Sequence, residues 1–203
     1  LRGKLRVGFL YAPVGVGTRA LAALAPGTFV EVTGPLGRGY PLDDPGTPLL
    51  VAGGRGVAPL LMAADALAKR KRRCEFLFGA RTKTLLVGLA EARERMTRLG
   101  GQLHVATDDG SQGERGNVIA LLDRVASKAA GPFVIHACGP LGMLKAVAHW
   151  GMAHGVPAHL AMESVMACGT GVCRGCPLPR SAEARDRVIA QGAAAAALQG
   201  NPE

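Results

Sequence analysis

Three cysteines lie close together near the end of the 203-residue chain, at Cys168, Cys173 and Cys176. The spacing C-x4-C-x2-C is that of plant-type [2Fe–2S] proteins, in which a distant fourth Cys completes the ligand set. Glycines between the cysteines let the backbone wrap closely and direct N–H groups at the sulfurs. Zinc is the alternative, although zinc sites usually contain paired C-x2–4-C or His ligands, and no Cys or His follows Cys176. The triplet therefore predicts a metal or cluster site.

A glycine-rich turn containing Gly53, Gly54 and Gly56 follows an apolar strand and precedes a helix with Pro59 in its first turn. Glycines allow backbone N–H groups to approach a diphosphate, and the helix N-terminus adds partial positive charge. Pro suits the first helical turn because its missing N–H would be unpaired there anyway. The spacing is not G-x-G-x-x-G, so a phosphate site and a tight structural turn remain alternatives.

Two further segments follow predicted strands and come to the same edge of a parallel sheet. Cys138, Gly139 and Pro140 open a helix after the fourth strand, and a polar loop with Asp108 and Asp109 follows the third. Ligands in open α/β sheets bind at that edge. A lone Cys is also a common small buried hydrophobe, and Asp-Asp-Gly-Ser is ordinary turn chemistry. Both interpretations stay open.

The elements that must position these motifs are read from an alternation of apolar runs with helix-length segments. The predicted strands are residues 49–52, 74–79, 102–107, 133–137 and 158–162, and the predicted helices are residues 58–70, 85–99, 117–128 and 141–154. Continuous apolar strands separated by helices indicate a parallel sheet covered on both faces. The fold class is therefore α/β, with a doubly wound five-stranded parallel sheet over residues 46–162.

The first 45 residues have a β pattern instead. Apolar residues alternate over residues 5–11 and 28–33, and Gly15-Val16-Gly17-Thr18 leads into a short helix between them. Two or three strands leave edges and a half-made core, so we expect a partial antiparallel β-barrel whose front half is missing. A Pro/Gly stretch at 41–48 marks the boundary. Residues 163–203 form the third part, a Cys-rich loop with a weakly ordered tail.

Composition excludes several classes of protein. Net charge is +9, but aromatic residues make up only 4% and the one dense basic run, residues 69–73, ends a helix, so we expect a solvated helix end and no nucleic acid. No apolar run reaches about 18 residues, so no membrane span is expected. Five cysteines, three within nine residues, do not form a disulfide framework; they predict a reducing compartment, with the cytoplasm as the default location.

Taken in order, these motifs resemble those of the electron-transfer subunit of NAD-dependent dihydroorotate dehydrogenase, in the ferredoxin–NADP reductase superfamily. The segment from residue 163 to residue 173 closely matches the cluster-loop signature of these subunits. The resemblance implies four groups of binding residues: Gly15, Gly17 and Thr18 at the FAD diphosphate; Gly53, Gly54 and Gly56 at the NAD diphosphate; Cys138, Gly139 and Pro140 at the nicotinamide; and Cys168, Cys173 and Cys176 at a [2Fe–2S] cluster.

The resemblance also implies a function. The chain would be an oxidoreductase subunit of pyrimidine biosynthesis that partners an FMN-containing catalytic subunit in a hetero-oligomer. Single electrons would cross the cluster to FAD, which passes a hydride to NAD+, so no catalytic acid or base is assigned. NAD rather than NADP is expected on the resemblance alone. Arg81, after the second strand, is either a partner for a 2′-phosphate or a solvated loop charge.

Two departures from the family pattern keep other readings open. The flavin-binding Arg-x-Tyr/Phe-Ser element belongs upstream of Leu1, and Ile189 occupies the slot of the fourth cluster Cys, with Asp186 nearby. One alternative is the electron-transfer flavoprotein subunit of a hydrogenase, a sulfite reductase or a ferredoxin–NAD(P) transhydrogenase. The other is a degenerate, non-catalytic relative.

Overall fold

A six-stranded, wholly parallel sheet organises the part of the chain that the structure, a computed structural model, describes: residues 7–128, 131–162, 166 and 168–173. The strands are β1 (Thr47–Gly53), β2 (Glu75–Ala80), β3 (Gln102–Thr107), β4 (Glu114–Arg115), β5 (Phe133–Cys138) and β6 (Ala158–Ala161). Their order is β4-β3-β2-β1-β5-β6. By internal packing the chain divides into residues 1–163 and 164–203, and the sheet belongs to the first unit.

Helices cover both faces of the sheet. They are α1 (Val16–Ala22), α2 (Val57–Lys69), α3 (Leu89–Leu99), α4 (Val118–Lys128) and α5 (Leu141–His154). Leu50 and Ala52 of β1 face α2 and α3, whereas Leu49 and Val51 face α4 and α5. Because β1 is buried on both sides, it is a continuous apolar run without polar alternation. The predicted α/β class with a parallel sheet is confirmed.

Most predicted limits lie within two residues of the observed ones, but the start of one helix and the presence of one strand differ from the prediction. Helix α3 begins at Leu89, not at residue 85, because residues 83–85 form a separate 3-10 turn and Gly88 has a φ of +86°. The short strand β4 was not predicted, because it has two charged residues and no apolar pattern. It pairs with the end of β3 through Ala106 and Thr107. The predicted five strands thus have a sixth neighbour at one edge.

Residues 7–46 contain helix α1 but no strand, so the strands predicted at 5–11 and 28–33 are absent from the described residues there. The partial antiparallel β-barrel is therefore not confirmed. Alternating apolar residues define two faces, but a strand also needs a neighbour to accept its backbone hydrogen bonds, and this segment pairs with none. Phe29 is fully exposed, and Val7 and Phe9 are more than half exposed.

The basic run at residues 69–73 is only partly the solvated helix end that we expected. Arg72 is half-buried and donates hydrogen bonds to main-chain carbonyls of residues 42–46, and Arg70 pairs with Asp43 at 3.1 Å. The other three side chains of the run are exposed. None of the described helices combines the length and the apolar character required to cross a membrane.

Candidate functional site

The carboxyl ends of β1 and β5 lie side by side and carry two of the predicted motifs. Ala52 of β1 is the register partner of Cys138 of β5. From β1 the chain continues through α2 on one face of the sheet, and from β5 it continues through α5 on the other face. Neighbouring parallel strands whose connections leave to opposite faces form the crevice in which open α/β sheets bind ligands.

The two turns at this crevice touch through their backbones, and glycine is required for the contact. A Cβ atom on Gly56 would lie 2.1 Å from the main-chain oxygen of Cys138. A Cβ on Gly53 would lie 2.8 Å from Cδ of Pro140, and one on Gly139 would lie 3.0 Å from Cα of Gly53. The structure therefore brings these five predicted residues together. Gly53, Gly56 and Gly139 are explained by protein packing rather than by open space for a ligand.

Gly54 differs from its neighbours. It has a φ of +51°, which side chains rarely adopt, and a Cβ there would meet no atom within 4 Å. No side chain caps the start of α2 or of α5. Because the 3-10 turn of Gly54–Gly56 continues into α2, the positive end of the helix dipole lies at Gly54 and favours an anion that approaches there. The crevice therefore fits the diphosphate of a dinucleotide.

The loops that follow β2 and β3 are joined at the same edge of the sheet. The N–H of Asp109 donates to the carbonyl of Arg81 at 3.3 Å, and the N–H of Lys83 donates to Oγ of Ser111 at 2.8 Å. Hydrogen bonds from the hydroxyl and the N–H of Ser111 lower the pKa of Asp109. Arg81 itself is exposed, and its proposed contact with a 2′-phosphate stays a prediction.

The predicted flavin motif lies at the exposed start of α1. Oγ1 of Thr18 accepts a hydrogen bond from the N–H of Gly15 at 3.0 Å and donates to the carbonyl of the same residue at 3.2 Å. A Cβ on Gly17 would meet nothing within 4 Å, and Val14 and Val16 are about four-fifths exposed. Thr18 thus fixes a turn that leaves its glycines open to a ligand.

Two of the three predicted cluster ligands, Cys168 and Cys173, lie in the second unit and are free thiols. Hydrogen bonds from Thr170 and then from Cys173 lower the pKa of Cys168 to about 5, which favours the thiolate form of this sulfur. A thiolate is the form that binds metals. Gly169 and Gly171 have φ values of +69° and +83°, which only glycine adopts readily, and the wrap of this loop around a cluster stays a prediction.

The third predicted ligand, Cys176, lies outside the described residues, as do Asp186 and Ile189. Within the described part of the chain, no group of three His, Cys, Asp or Glu side chains is placed to hold a metal ion. The described loop therefore brings two thiols together. Its chemistry fits a thiolate-bound iron–sulfur centre, and the full ligand set stays a prediction.

Sequence reasoning missed a cluster of polar rings behind the crevice. His136 of β5 is fully buried, its ring stacks on His159 with centroids 5.3 Å apart, and Tyr40 lies edge-on to it at 5.3 Å. Neither ring nitrogen of His136 has a hydrogen-bond partner among the described residues. Burial, followed by the charge of His159, lowers the pKa of His136 to about 4. The available signal was a histidine inside the apolar run of β5.

His136 makes folding stability depend on acid. The unfolded chain binds this proton below about pH 6.5, whereas the folded chain binds it only below about pH 4. The stability contributed by neutral His136 is therefore complete above pH 6.5 and declines as pH falls toward 4, by about 1.4 kcal/mol per pH unit. Asp44 opposes this shift, and Arg72 adds to it.

We expect His136→Phe to flatten the pH dependence of the urea midpoint between pH 6.5 and pH 4.5. The same substitution at His149, which is exposed on α5, is the control and should keep the slope of the unmodified protein. Equal slopes in all three proteins would show that His136 is not buried as a neutral ring.

Comparisons with known proteins agree with this geometry. The model of the oxidoreductase NAD-binding domain family matches residues 50–149. The chain is 38% identical over 188 residues to the electron transfer subunit of dihydroorotate dehydrogenase B (NAD(+)) from Bacillus caldolyticus, covering 90% of this chain and 69% of the relative. The corresponding subunit of Streptococcus pneumoniae is 35% identical over 90% of this chain and 70% of its own length. The chain belongs to the family of dihydroorotate dehydrogenase B electron transfer subunits.

Membership places the chain among oxidoreductase subunits with an electron-transfer role in dihydroorotate oxidation. Among solved structures, the NADH-dependent reduced ferredoxin–NADP oxidoreductase, described in the context of flavin-based electron bifurcation, superposes with a TM-score of 0.68. It is 32% identical, and the match covers 79% of this chain and 56% of the solved chain. Together these relatives support NAD and a flavin as cofactors and imply a catalytic partner.

Proposed function

We propose that this chain carries electrons from an FMN-containing catalytic subunit through a [2Fe–2S] centre and FAD to NAD+ during dihydroorotate oxidation. The observation that supports it most directly is the open, left-handed Gly54 beside the uncapped start of α2, in the crevice at the ends of β1 and β5. When bound, the cluster would transfer single electrons, FAD would collect two of them, and NAD+ would accept them as a hydride. The protein contributes binding and orientation.

In this proposal the nucleotide crevice holds NAD in two parts. Gly54 and the uncapped start of α2 take the diphosphate, with Gly53 and Gly56 shaping the turn. Cys138, Gly139 and Pro140 form the floor under the nicotinamide. Because the two parts are in direct backbone contact, their separation is set by the fold and not by side-chain rotamers. No side chain at the crevice has to exchange a proton for hydride transfer.

The flavin and the cluster are assigned to the remaining motifs. Gly15 and Gly17 are open to solvent beside the fixed hydroxyl of Thr18, which suits the approach of the FAD diphosphate. Cys168 and Cys173, with Cys176 from the sequence pattern, are assigned as iron ligands. The chain then has three functional parts: residues 1–45 for the flavin, 46–162 for NAD and 163–203 for the cluster. A cytoplasmic location is part of the proposal, since the spacing of the five cysteines is not that of a disulfide framework.

A second function is favoured by one comparison. The 32% identity to the ferredoxin–NADP oxidoreductase chain supports a subunit that receives electrons from ferredoxin instead of from a dihydroorotate-oxidising partner. The NAD crevice would serve both functions equally, because the two functions differ only in the protein that delivers electrons to the cluster. The two proposals therefore differ in the electron donor alone.

The test is reconstitution of the full chain, purified without oxygen, with each donor. We expect dihydroorotate to reduce NAD+, followed at 340 nm, when the FMN-containing catalytic subunit is present, and we expect the two subunits to co-purify. Reduction by ferredoxin without that subunit would favour the second function. A protein that contains zinc, or no flavin, and transfers no electrons from either donor would support the degenerate relative instead.

A further inference from the structure

We propose that Arg72 and Tyr40 are positioning residues for hydride transfer, because they hold the linker of residues 40–46 against the end of β5, which carries the nicotinamide turn of Cys138, Gly139 and Pro140. The linker immediately precedes strand β1. The inference rests on the proposed function. It adds a role for residues outside both binding motifs.

Tyr40 attaches the start of the linker to the strand that carries the nicotinamide turn. Its hydroxyl donates to the carbonyl of Ala137 at 2.9 Å, and Ala137 immediately precedes Cys138. Its ring packs edge-on against buried His136. Burial and the nearby Cys138 raise the pKa of Tyr40, so the hydroxyl remains a donor at every physiological pH. A displacement of the linker at this point is therefore transmitted directly to the end of β5.

The end of the linker is attached to β6. Oδ2 of Asp44 lies 2.5 Å from Nε2 of His159, whose ring stacks on His136. Between these two contacts Leu42 is buried in the core beside α2. The linker thus contacts β5 through Tyr40, the core beside α2 through Leu42 and β6 through Asp44.

Arg72 holds the backbone of the same segment. From the turn after α2, its guanidinium donates to the carbonyls of Leu42, of Asp44 at 2.8 Å and of Gly46 at 2.7 Å. Because the linker forms no helix or strand, its carbonyl groups need other hydrogen-bond donors. The planar guanidinium of Arg72 donates to three of these carbonyls. A lysine keeps the charge but has a single ammonium group, which cannot span the three acceptors.

The consequence is a rate effect. Hydride transfer needs the reacting atoms about 3–3.5 Å apart, and a displacement of about 1 Å can cost about a hundredfold in rate. Loosening the linker releases the contact of Tyr40 on Ala137, beside Cys138, but removes no contact of Gly54, at which the diphosphate is proposed to bind. Arg72 should therefore affect the rate of hydride transfer and not the affinity for NADH.

The test compares Arg72→Lys with Arg73→Lys, the same substitution at the neighbouring exposed arginine, in the full chain loaded with FAD. Stopped-flow bleaching of the flavin by NADH gives the limiting rate and the apparent Kd. Hydrogen–deuterium exchange reports on the amides of residues 42–47. For Arg72→Lys we expect a rate at least about tenfold lower, a Kd within about twofold, and faster exchange in the linker. Arg73→Lys should change none of the three.

Tyr40→Phe removes only the hydroxyl and keeps the ring, so it tests the proposal if Arg72→Lys does not fold. We expect the limiting rate of flavin reduction to be about threefold lower, with an unchanged Kd for NADH. If both variants reduce the flavin at the rate of the unmodified protein although hydrogen–deuterium exchange in the linker is faster, the positioning role is overturned and the proposed function still stands. An unmodified chain that holds FAD and binds NADH but is not reduced by it would overturn the proposed function, and this inference with it.

Discussion

Gly56→Ala should unfold more easily than the unmodified protein and should lose affinity for NADH. The new methyl group would lie 2.1 Å from the oxygen and 2.4 Å from the carbon of the Cys138 carbonyl, and 2.7 Å from the nitrogen of Gly139. All three atoms are backbone, so no side chain can rotate away and the two turns must separate. Overpacking of this kind costs about 1–3 kcal/mol, and we expect the upper part of that range.

Two other glycines separate packing from ligand binding. Gly54→Ala has space for its methyl group but a φ of +51°, so it should cost about 1 kcal/mol in stability while lowering NADH affinity at least as much as Gly56→Ala. Position 142 is exposed on α5, and a Cβ there would meet no atom within 4 Å. Gly142→Ala should therefore be neutral or slightly stabilising, since alanine favours a helix. Urea denaturation and calorimetric titration with NADH measure both quantities. A Gly56→Ala protein as stable as the Gly142→Ala control would contradict the packing explanation.

The nucleotide half of this chain could be predicted from its sequence because its signals are local. Strand β3 has the predicted limits, and so does α5, since an apolar run bounded by glycine and polar residues fixes both ends. The grouping of Gly53 and Gly56 with Cys138 also follows from topology, because parallel strands bring their carboxyl ends to one edge. What sequence did not reveal is that Gly56 is needed for contact between turns.

The parts that sequence could not predict depend on long-range partners. The alternation at residues 28–33 has the period of a strand, but Phe29 is fully exposed and the segment pairs with no strand. Arg72 looks like one more charge in a basic run, yet its partners lie 26–30 residues earlier in the chain. His136 and His159 meet only because β5 and β6 are neighbours in register. None of these contacts has a local signature.

Cys173→Ser should abolish the iron–sulfur centre while leaving the nucleotide crevice intact. A [2Fe–2S] protein holds about two iron and two sulfide per chain, and the loss of one thiolate ligand should reduce both contents by at least about tenfold. The main-chain N–H of Cys173 also donates a hydrogen bond to Cys168 and is kept in the variant, so the substitution removes one ligand and leaves Cys168 in place. Iron and acid-labile sulfide analysis after anaerobic purification, with the visible spectrum, measures the effect.

The control is Cys74→Ala, which removes a thiol buried in the sheet core against Met96. It should keep the iron and sulfide of the unmodified chain at some cost in stability. Because the proposed NAD site is the crevice between β1 and β5, the Cys173→Ser protein should still bind NADH with unchanged affinity, and electron transfer from the catalytic subunit should stop. Full iron and sulfide in Cys173→Ser would remove Cys173 from the ligand set. Zinc in place of iron in the unmodified chain would instead assign these thiolates to a structural site, since zinc binds the same ligands but carries no electrons.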